Sequence, residues 1–250
     1  MALPDTLIAR FIETCFTHGL RGDFVMLGRQ RWIGSRRGAS AELLAETLHT
    51  YLPGRTEDSL RNEDDEYSET FFRALGFDTV DSMDVSAFEG ASVIHDLGTP
   101  LPPALEARFD TVYDGGTCEH IFDLPAAYRN IHRMLRPGGT LVAHSPCNNW
   151  VNHGFYQVTP EIVHGFWEKA MGYEVLHVSL QPLRPNLARR VVTTTNPNVT
   201  GIRPRLSGDL PPNAPIILNY AVRKPQRTPE QGRKVYQTDY VERWQGDTAS

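Results

Sequence analysis

Apolar residues follow two rhythms along this chain. In "LIARFIETCF", Leu7, Ile8, Phe11, Ile12, Cys15 and Phe16 fall at helical spacing, which predicts an amphipathic helix packing on the domain edge. "DFVMLG" (residues 23–28) is a short apolar run closed by glycine and reads as a buried strand. "SAELLAETLHTYL" reads as a helix with Ser40 as its cap. From residue 79 the alternation is sustained. "TVDSMDVS", "SVIHDL", "FDTVYDGG", "TLVAHSP", "YEVLHVSL" and "PIILNYAV" read as further strands. "LPAAYRNIHRML", stopped by "RPGG", and "TPEIVHGFWEKAMG" read as helices, the latter with Thr159 as cap, Pro160 in its first turn and Gly172 at its end. Strands alternating with helices predict an α/β fold: a doubly wound, mostly parallel seven-stranded sheet with helices on both faces.

Other stretches interrupt this rhythm. "TEDSLRNEDDEYSETFFRALGF" is acidic in its first half and helical in its second. The acidic half reads as a solvated face or mobile cover, since no spacing in it matches a calcium loop. Residues 182–214, rich in Pro, Asn, Arg and Thr, read as a long insertion between the last two strands, of the kind that serves as a functional cover or a mobile segment. The expected organisation is one domain over 1–250: an N-terminal helix within 1–22, a core over 23–180, the insertion, and a polar tail over 225–250. In the tail "DYVERW" forms one turn at most and the rest reads as poorly ordered.

Length and composition fit this picture. At 250 residues, with 40% hydrophobic and 22% charged residues, the chain suits one globular α/β domain. A net charge of −5 gives no basic field for nucleic acid or an anionic membrane. Cys15, Cys118 and Cys147 are scattered and form no metal motif. The expected setting is reducing and cytoplasmic. "MALPDTLIARFIETCF" is broken by Asp5, Arg10 and Glu13 and is not read as a signal peptide, and no run is long enough for a membrane span.

Ligands of doubly wound sheets sit beyond the carboxyl ends of the strands. At those ends stand Gly28, Asp84, Asp96, then Asp114-Gly115-Gly116 followed by Glu119 and His120, then His144-Ser145-Pro146. Glycine allows close backbone approach to a ligand. An ionised carboxylate only accepts, which suits a ribose diol or an exocyclic amine. Asp84 in "DVS" also suits a simple Asx turn.

The combination "VMLG", "DSMDVS", "VIHDLGTPLP", "FDTVYDGGTCEHIFD" and "LRPGGTLVAHSP" over about residues 23–180 resembles the class I S-adenosylmethionine-dependent methyltransferases, in their small-molecule group. In its turn, Pro137 fixes the bend and Gly138-Gly139 allow left-handed backbone. The resemblance implies S-adenosyl-L-methionine as cofactor. It implies Gly28 under the methionine part, Asp84 on the ribose hydroxyls, Asp96 on the adenine amine with Leu97 flanking the ring, and Asp114, Gly115 and Gly116 near the sulfonium. The chain departs from the family in its first loop, "VMLGRQRWIGS". Met26 fills the usual acidic slot and Gln30 that of the second glycine. Arg29 and Gln30 could bind the cofactor carboxylate instead; alternatively Arg29 and Arg31 are loop residues paired with nearby acids.

On the substrate side, histidine titrates near working pH and is the natural base for a hydroxyl acceptor. His120 follows the fourth strand. His153 and Tyr156 lie in "NNWVNHGFYQVTPE", which resembles the substrate loop of methyltransferases acting on sugars or secondary metabolites. These three are the candidate catalytic residues, while His144 and His164 read as structural. No metal ligand is assigned; the spacing of Asp114, Glu119 and His120 is weak evidence by itself. The expected partner is a small molecule, with no nucleic acid and no membrane, and a homo-oligomer is left open. Two rivals remain: a repurposed or non-catalytic relative, and a nicotinamide-dependent oxidoreductase, which would want the G-x-G-x-x-G turn that "GRQRWIG" lacks.

Overall fold

The structure, a computed structural model, describes residues 2–34, 37–200, 208–227 and 234–238. Its ten strands are β1 (Ala2–Pro4), β2 (Gly22–Leu27), β3 (Arg31–Ile33), β4 (Phe77–Asp84), β5 (Val93–Ile94), β6 (Phe109–Asp114), β7 (Leu135–Asn148), β8 (Glu174–Pro182), β9 (Val192–Thr193) and β10 (Ile216–Arg223). Eight of them form one sheet in the order β5-β4-β2-β6-β7-β10-β8-β9. The first five are mutually parallel, whereas β10 runs antiparallel to both β7 and β8. The sheet therefore has eight strands, not the seven expected, and its last part is antiparallel. The eighth, β9, is two residues contributed by the insertion and paired to the edge of β8. It is too short to carry a period in sequence.

Alternation along β2 separates two cores. Val25 and Leu27 face a cluster containing Val112, Tyr128, Ile131 and Trp167, which α4 (Leu124–Met134) and the wide helix Ile162–Ala170 cover. Phe24 and Met26 face the opposite cluster, with Phe11, Phe71, Phe72 and Tyr113. That second face is covered by α1 (Asp5–His18), α2 (Ala39–Tyr51) and α3 (Glu69–Ala74). Phe11 is fully buried, with ring centroids 4.7 Å from Tyr113, 5.3 Å from Phe72 and 6.0 Å from Phe24. Helix α1 is thus a core element of the sheet face rather than an edge helix.

Local readings shift in informative ways. Gly38, not Ser40, stands at the N-cap of α2, and Ser40 is buried in the first turn. Residue Gly138 takes φ +81°, as the "RPGG" turn requires, yet backbone pairing runs on through it, so β7 begins at Leu135. Beyond Pro160 the chain winds as a π-helix rather than an α-helix, and Gly172 ends it at φ +72°. In the tail, Thr238 is buried; its N–H and hydroxyl donate to Glu161 at 2.5 and 2.9 Å. "DYVERW" lies outside the described residues. Among the described residues, no helix is long and apolar enough to cross a membrane.

Candidate active site

Strand order reverses between β2 and β6, so their carboxyl ends open the crevice where ligands of such sheets bind. Gly28 closes β2 in the left-handed region at φ +65°, which a side chain would resist. The chain then turns into β3, which pairs in parallel with β1 at the N-terminus. The loop after the first core strand is thereby drawn toward the N-terminal segment, a long-range pairing with no sequence signature.

Arg29 points away from the crevice. Its guanidinium meets Glu69 at 2.6 Å and Asp65 at 2.7 Å, donates to the Glu89 carbonyl at 3.0 Å, and lies 3.9 Å from the Tyr67 ring centroid. Those two carboxylates hold the Arg29 pKa above its ordinary value in spite of partial desolvation. Arg31 pairs with Glu66. The acidic run is therefore a dock for the first loop, and the pairing of Arg29 and Arg31 with nearby acids is what the structure has.

Gln30 points inward. It is fully buried, and its Nε2 donates to the Leu27 carbonyl at 2.9 Å and the Gly28 carbonyl at 3.4 Å. Its Oε1 finds no partner. The amide lies against Gly115, where an added Cβ would stand 2.7 Å from Oε1 and 2.9 Å from Nε2.

On one side of the crevice stand the carboxylates of Asp84 and Asp96. Asp84 is half-buried at the end of β4 and accepts from the Ser86 N–H at 3.2 Å, the Asx turn that "DVS" suggests. Asp96 is exposed and accepts from the Gly98 N–H at 2.8 Å, with Leu97 buried behind it. Three apolar side chains stay in solvent on the segments bearing these acids: Val85, Ile94 and Phe88, the last 94% exposed.

Asp114 is deeper than its sequence position suggests. It is wholly buried, with Oδ1 accepting from the Thr117 N–H at 2.8 Å and the Cys118 N–H at 3.3 Å, while Oδ2 is unpartnered. Burial pushes its pKa up, against those N–H bonds. Its role in the described structure is to shape the turn that presents Glu119 and His120.

On the other side opens a cavity of about 950 Å³. Gly115, Gly116, Glu119 and His153 line its floor, together with Trp32 and Asp5 from the N-terminal pairing. His144 also reaches it, but is buried, with Nδ1 2.8 Å from the Tyr113 hydroxyl. Burial lowers its pKa to about 3, which marks it as a neutral core histidine. His164 bonds Glu168 at 2.8 Å on its own helix. Tyr156 donates to the Phe122 carbonyl at 2.8 Å and does not line the cavity.

His120 and His153, 33 positions apart in sequence, come together, their ring centroids 5.0 Å apart. The loop after β7 is stapled to Glu119: the N–H groups of Phe155 and Tyr156 donate to the Glu119 carbonyl at 2.8 and 3.3 Å. Gly154 permits this approach, since a Cβ there would stand 2.8 Å from that oxygen. Glu119 Oε1 then lies 3.4 Å from His153 Nε2 and 3.7 Å from His120 Nε2. The Glu119 side chain is 1% exposed, and burial with the Asp114 charge pushes its pKa well up. Burial and the His153 imidazole lower that of His120. In the sequence His120 and His153 are separate candidates, and Glu119 is only a weak candidate for a metal ligand. "EH", following Asp114-Gly115-Gly116 after two intervening residues, is the available signal, but its meeting with residue 153 is not.

Residues 65–143 match the family model described as a methyltransferase domain. No curated protein matches the chain. Among solved structures it is similar to an S-adenosylmethionine-dependent methyltransferase from Mesorhizobium loti, at 16% identity over 81% of this chain and 90% of that one, TM-score 0.40. It is also similar to the N-methyltransferase NodS from Bradyrhizobium japonicum WM9 in complex with S-adenosyl-L-homocysteine, at 11% identity over 87% and 85%, TM-score 0.44. A third is the [4+2]-cyclase SpnF, at 14% identity over 87% and 80%, TM-score 0.44.

Proposed function

We propose that this protein is a class I S-adenosylmethionine-dependent methyltransferase, and that it methylates a small molecule at a hydroxyl, on a sugar or secondary metabolite, with His153 or its neighbour His120 taking up the proton. The match of residues 65–143 to a methyltransferase domain supports the first part. The observation that carries this reading is that one cavity runs from Gly115-Gly116 at the strand ends to Glu119 and His153. An acceptor lying there has the cofactor crevice at one end and imidazole at the other.

The residues of the crevice fit the nucleoside half of S-adenosylmethionine. Asp84 would accept from the ribose hydroxyls and Asp96 from the adenine amine. Leu97 and the solvent-exposed Val85 and Ile94 would supply apolar surface for the ring. At the amino-acid end, Gly28, Gly115 and Gly116 supply the close approach. There Gln30 already donates to the Leu27 and Gly28 carbonyls, so a bound ammonium group and the observed Gln30 side chain compete for the same acceptors. When bound, the cofactor supplies a methyl group made electrophilic by a sulfonium.

The chain's own residues would do the rest. Trp32, Asp5 and Trp150 wall the cavity, which orients the acceptor and reduces its water; positioning of this kind accounts for much of the rate in such displacements. A lowered pKa keeps His120 neutral near pH 7, ready to accept a proton. His153, held beside Glu119, is the partly exposed imidazole that lines the cavity, whereas His144 is buried.

The test is methyl transfer from cofactor labelled at its methyl carbon to a panel of hydroxylated sugars and phenolic metabolites, with product analysis for the new ether. His153→Ala and His120→Ala should each lower turnover, together by about 10²-fold or more. Full turnover in both variants overturns the histidine base, and label appearing only on nitrogen overturns the hydroxyl acceptor.

A further inference from the structure

We infer that Glu119, His120 and His153 form a binding site for a divalent transition-metal cation at the floor of the cavity. The three residues each offer one ligand atom, and these atoms lie within 4.8 Å of one another. Glu119 Oε1 is the centre, 3.4 Å from one imidazole nitrogen and 3.7 Å from the other. Those separations are too long for hydrogen bonds. They are close to the spacing of about 3.0–3.4 Å between atoms that each sit about 2.1 Å from a shared cation.

A second observation points the same way. Both carboxylate oxygens of Glu119 are buried and find no hydrogen-bond partner. A buried carboxylate without a partner is costly, and native structures rarely leave one so. The imidazoles alone do not satisfy it at these distances, but a cation between the three would satisfy all of them. The framework for such a site is fixed by backbone: the Phe155 and Tyr156 N–H groups clamp the His153 loop to the Glu119 carbonyl. Trp150, 4.7 Å from the His153 ring centroid and anchored by its Nε1 on the Ile216 carbonyl, backs that imidazole.

Two imidazoles and one carboxylate select borderline cations such as Zn²⁺, Co²⁺ or Fe²⁺ over Mg²⁺ or Ca²⁺, and three protein ligands leave a position open. That position faces the cavity through Glu119 and His153. A cation there would lower the pKa of an oxygen that binds it, and the acceptor's proton would pass to a solvent base. For its chemical use, though not for cation binding itself, this inference rests on the hydroxyl-methylation reading. It turns the two imidazoles from base to ligands.

The experiment uses the untagged full chain, freed of metal by chelation and dialysis, titrated with CoCl₂ and with ZnCl₂. Calorimetry and the visible absorption of bound Co²⁺ are the readouts. One equivalent should bind with micromolar or tighter affinity, giving a Co²⁺ spectrum of nitrogen and oxygen ligation. E119Q and H153A should each weaken binding by about 10–100-fold, as loss of one ligand from three does. His153 sits on an exposed loop, so H153A tests the site even if E119Q fails to fold. Absence of stoichiometric binding, or binding unchanged in H153A and H120A, overturns the site. Methyl transfer that survives chelation, with no cation bound in the titrations, overturns the metal and leaves the histidine base standing. A bound cation without transfer to any hydroxyl overturns the acceptor assignment and leaves the metal standing.

Discussion

The side-chain amide of Gln30 lies on Gly115, so close that a Cβ at residue 115 would stand 2.7 Å from Gln30 Oε1. One loop residue thus fills the space over the end of β6 and occupies the carbonyls of Leu27 and Gly28. Replacing it with glycine should free those acceptors. Gln30→Gly is expected to tighten S-adenosylhomocysteine binding about 5–10-fold, the worth of roughly one hydrogen bond. Calorimetric titration checks it; unchanged or weaker affinity means that Gln30 does not compete with the ligand. Gly115→Ala should destabilise the fold by about 1–3 kcal/mol through overpacking. Most of that loss should disappear in the double variant with Gln30→Gly, because the two changes share one contact.

Asp84 stands at the end of β4 beside the same crevice, where the proposed ribose site lies. Its Asx turn uses one oxygen on the Ser86 N–H. Asp84→Ala should weaken S-adenosylhomocysteine by about 10-fold, the loss of a charge-assisted bond to a diol. Unaltered affinity would remove Asp84 from the ribose site and leave it as a turn residue.

Gly154 leaves no room for a side chain against the Glu119 backbone, whose carbonyl accepts from the Phe155 and Tyr156 N–H groups. In Gly154→Ala the new methyl group would meet the Glu119 carbonyl at 2.8 Å and push residues 153–156 outward. The outcome should be a loss of kcat of at least about 10-fold, since misplacement by an ångström has that effect or more. Because the loop is exposed, the melting temperature should fall by only a few degrees, about 1 kcal/mol or less. Turnover at the parental level would show that the His153–Glu119 approach is not needed.

His144 supplies a test by pH. Its folded-state pKa is lowered from 6.5 to about 3 by burial first and by the neighbouring His177 and Arg10 charges next. Below pH 6.5 the unfolded chain takes up a proton that the folded chain refuses, so stability falls as pH drops from 6.5 toward 3. The slope from this one group is at most about 1.4 kcal/mol per pH unit. Urea unfolding of His144→Gln across this range should show a shallower acid loss than the parent; parallel curves would mean that His144 is already protonated in the fold.

Phe11 decides whether α1 is core or ornament. Its ring meets those of Phe24, Phe72 and Tyr113 at the centre of one sheet face. Phe11→Ala should cost about 3–5 kcal/mol, measured by denaturant unfolding. A cost below about 1 kcal/mol would return α1 to the domain edge.

The sequence by itself determined what depends on local periodicity and on single residues with special backbone needs. Strand–helix alternation specified a doubly wound sheet, and Gly28 and Gly138 take the left-handed conformations their turns call for. Asp84, Asp96, Gly115, His120 and His153 stand out in the sequence only as candidates, because ligands of this class of fold bind at strand ends and the loops that follow them. Only tertiary structure decided the remainder, because each such feature is a contact between distant segments. The β1–β3 pairing draws the first loop toward the N-terminus. Asp65 and Glu69 claim Arg29, which local spacing left equally suited to a ligand carboxylate. Residue 153 reaches residue 119 through backbone N–H groups, which no side-chain pattern encodes. Burial was likewise invisible: it pushes the pKa of Asp114 and Glu119 up and that of His144 down, because the cost of holding a charge depends on what the whole fold places around it.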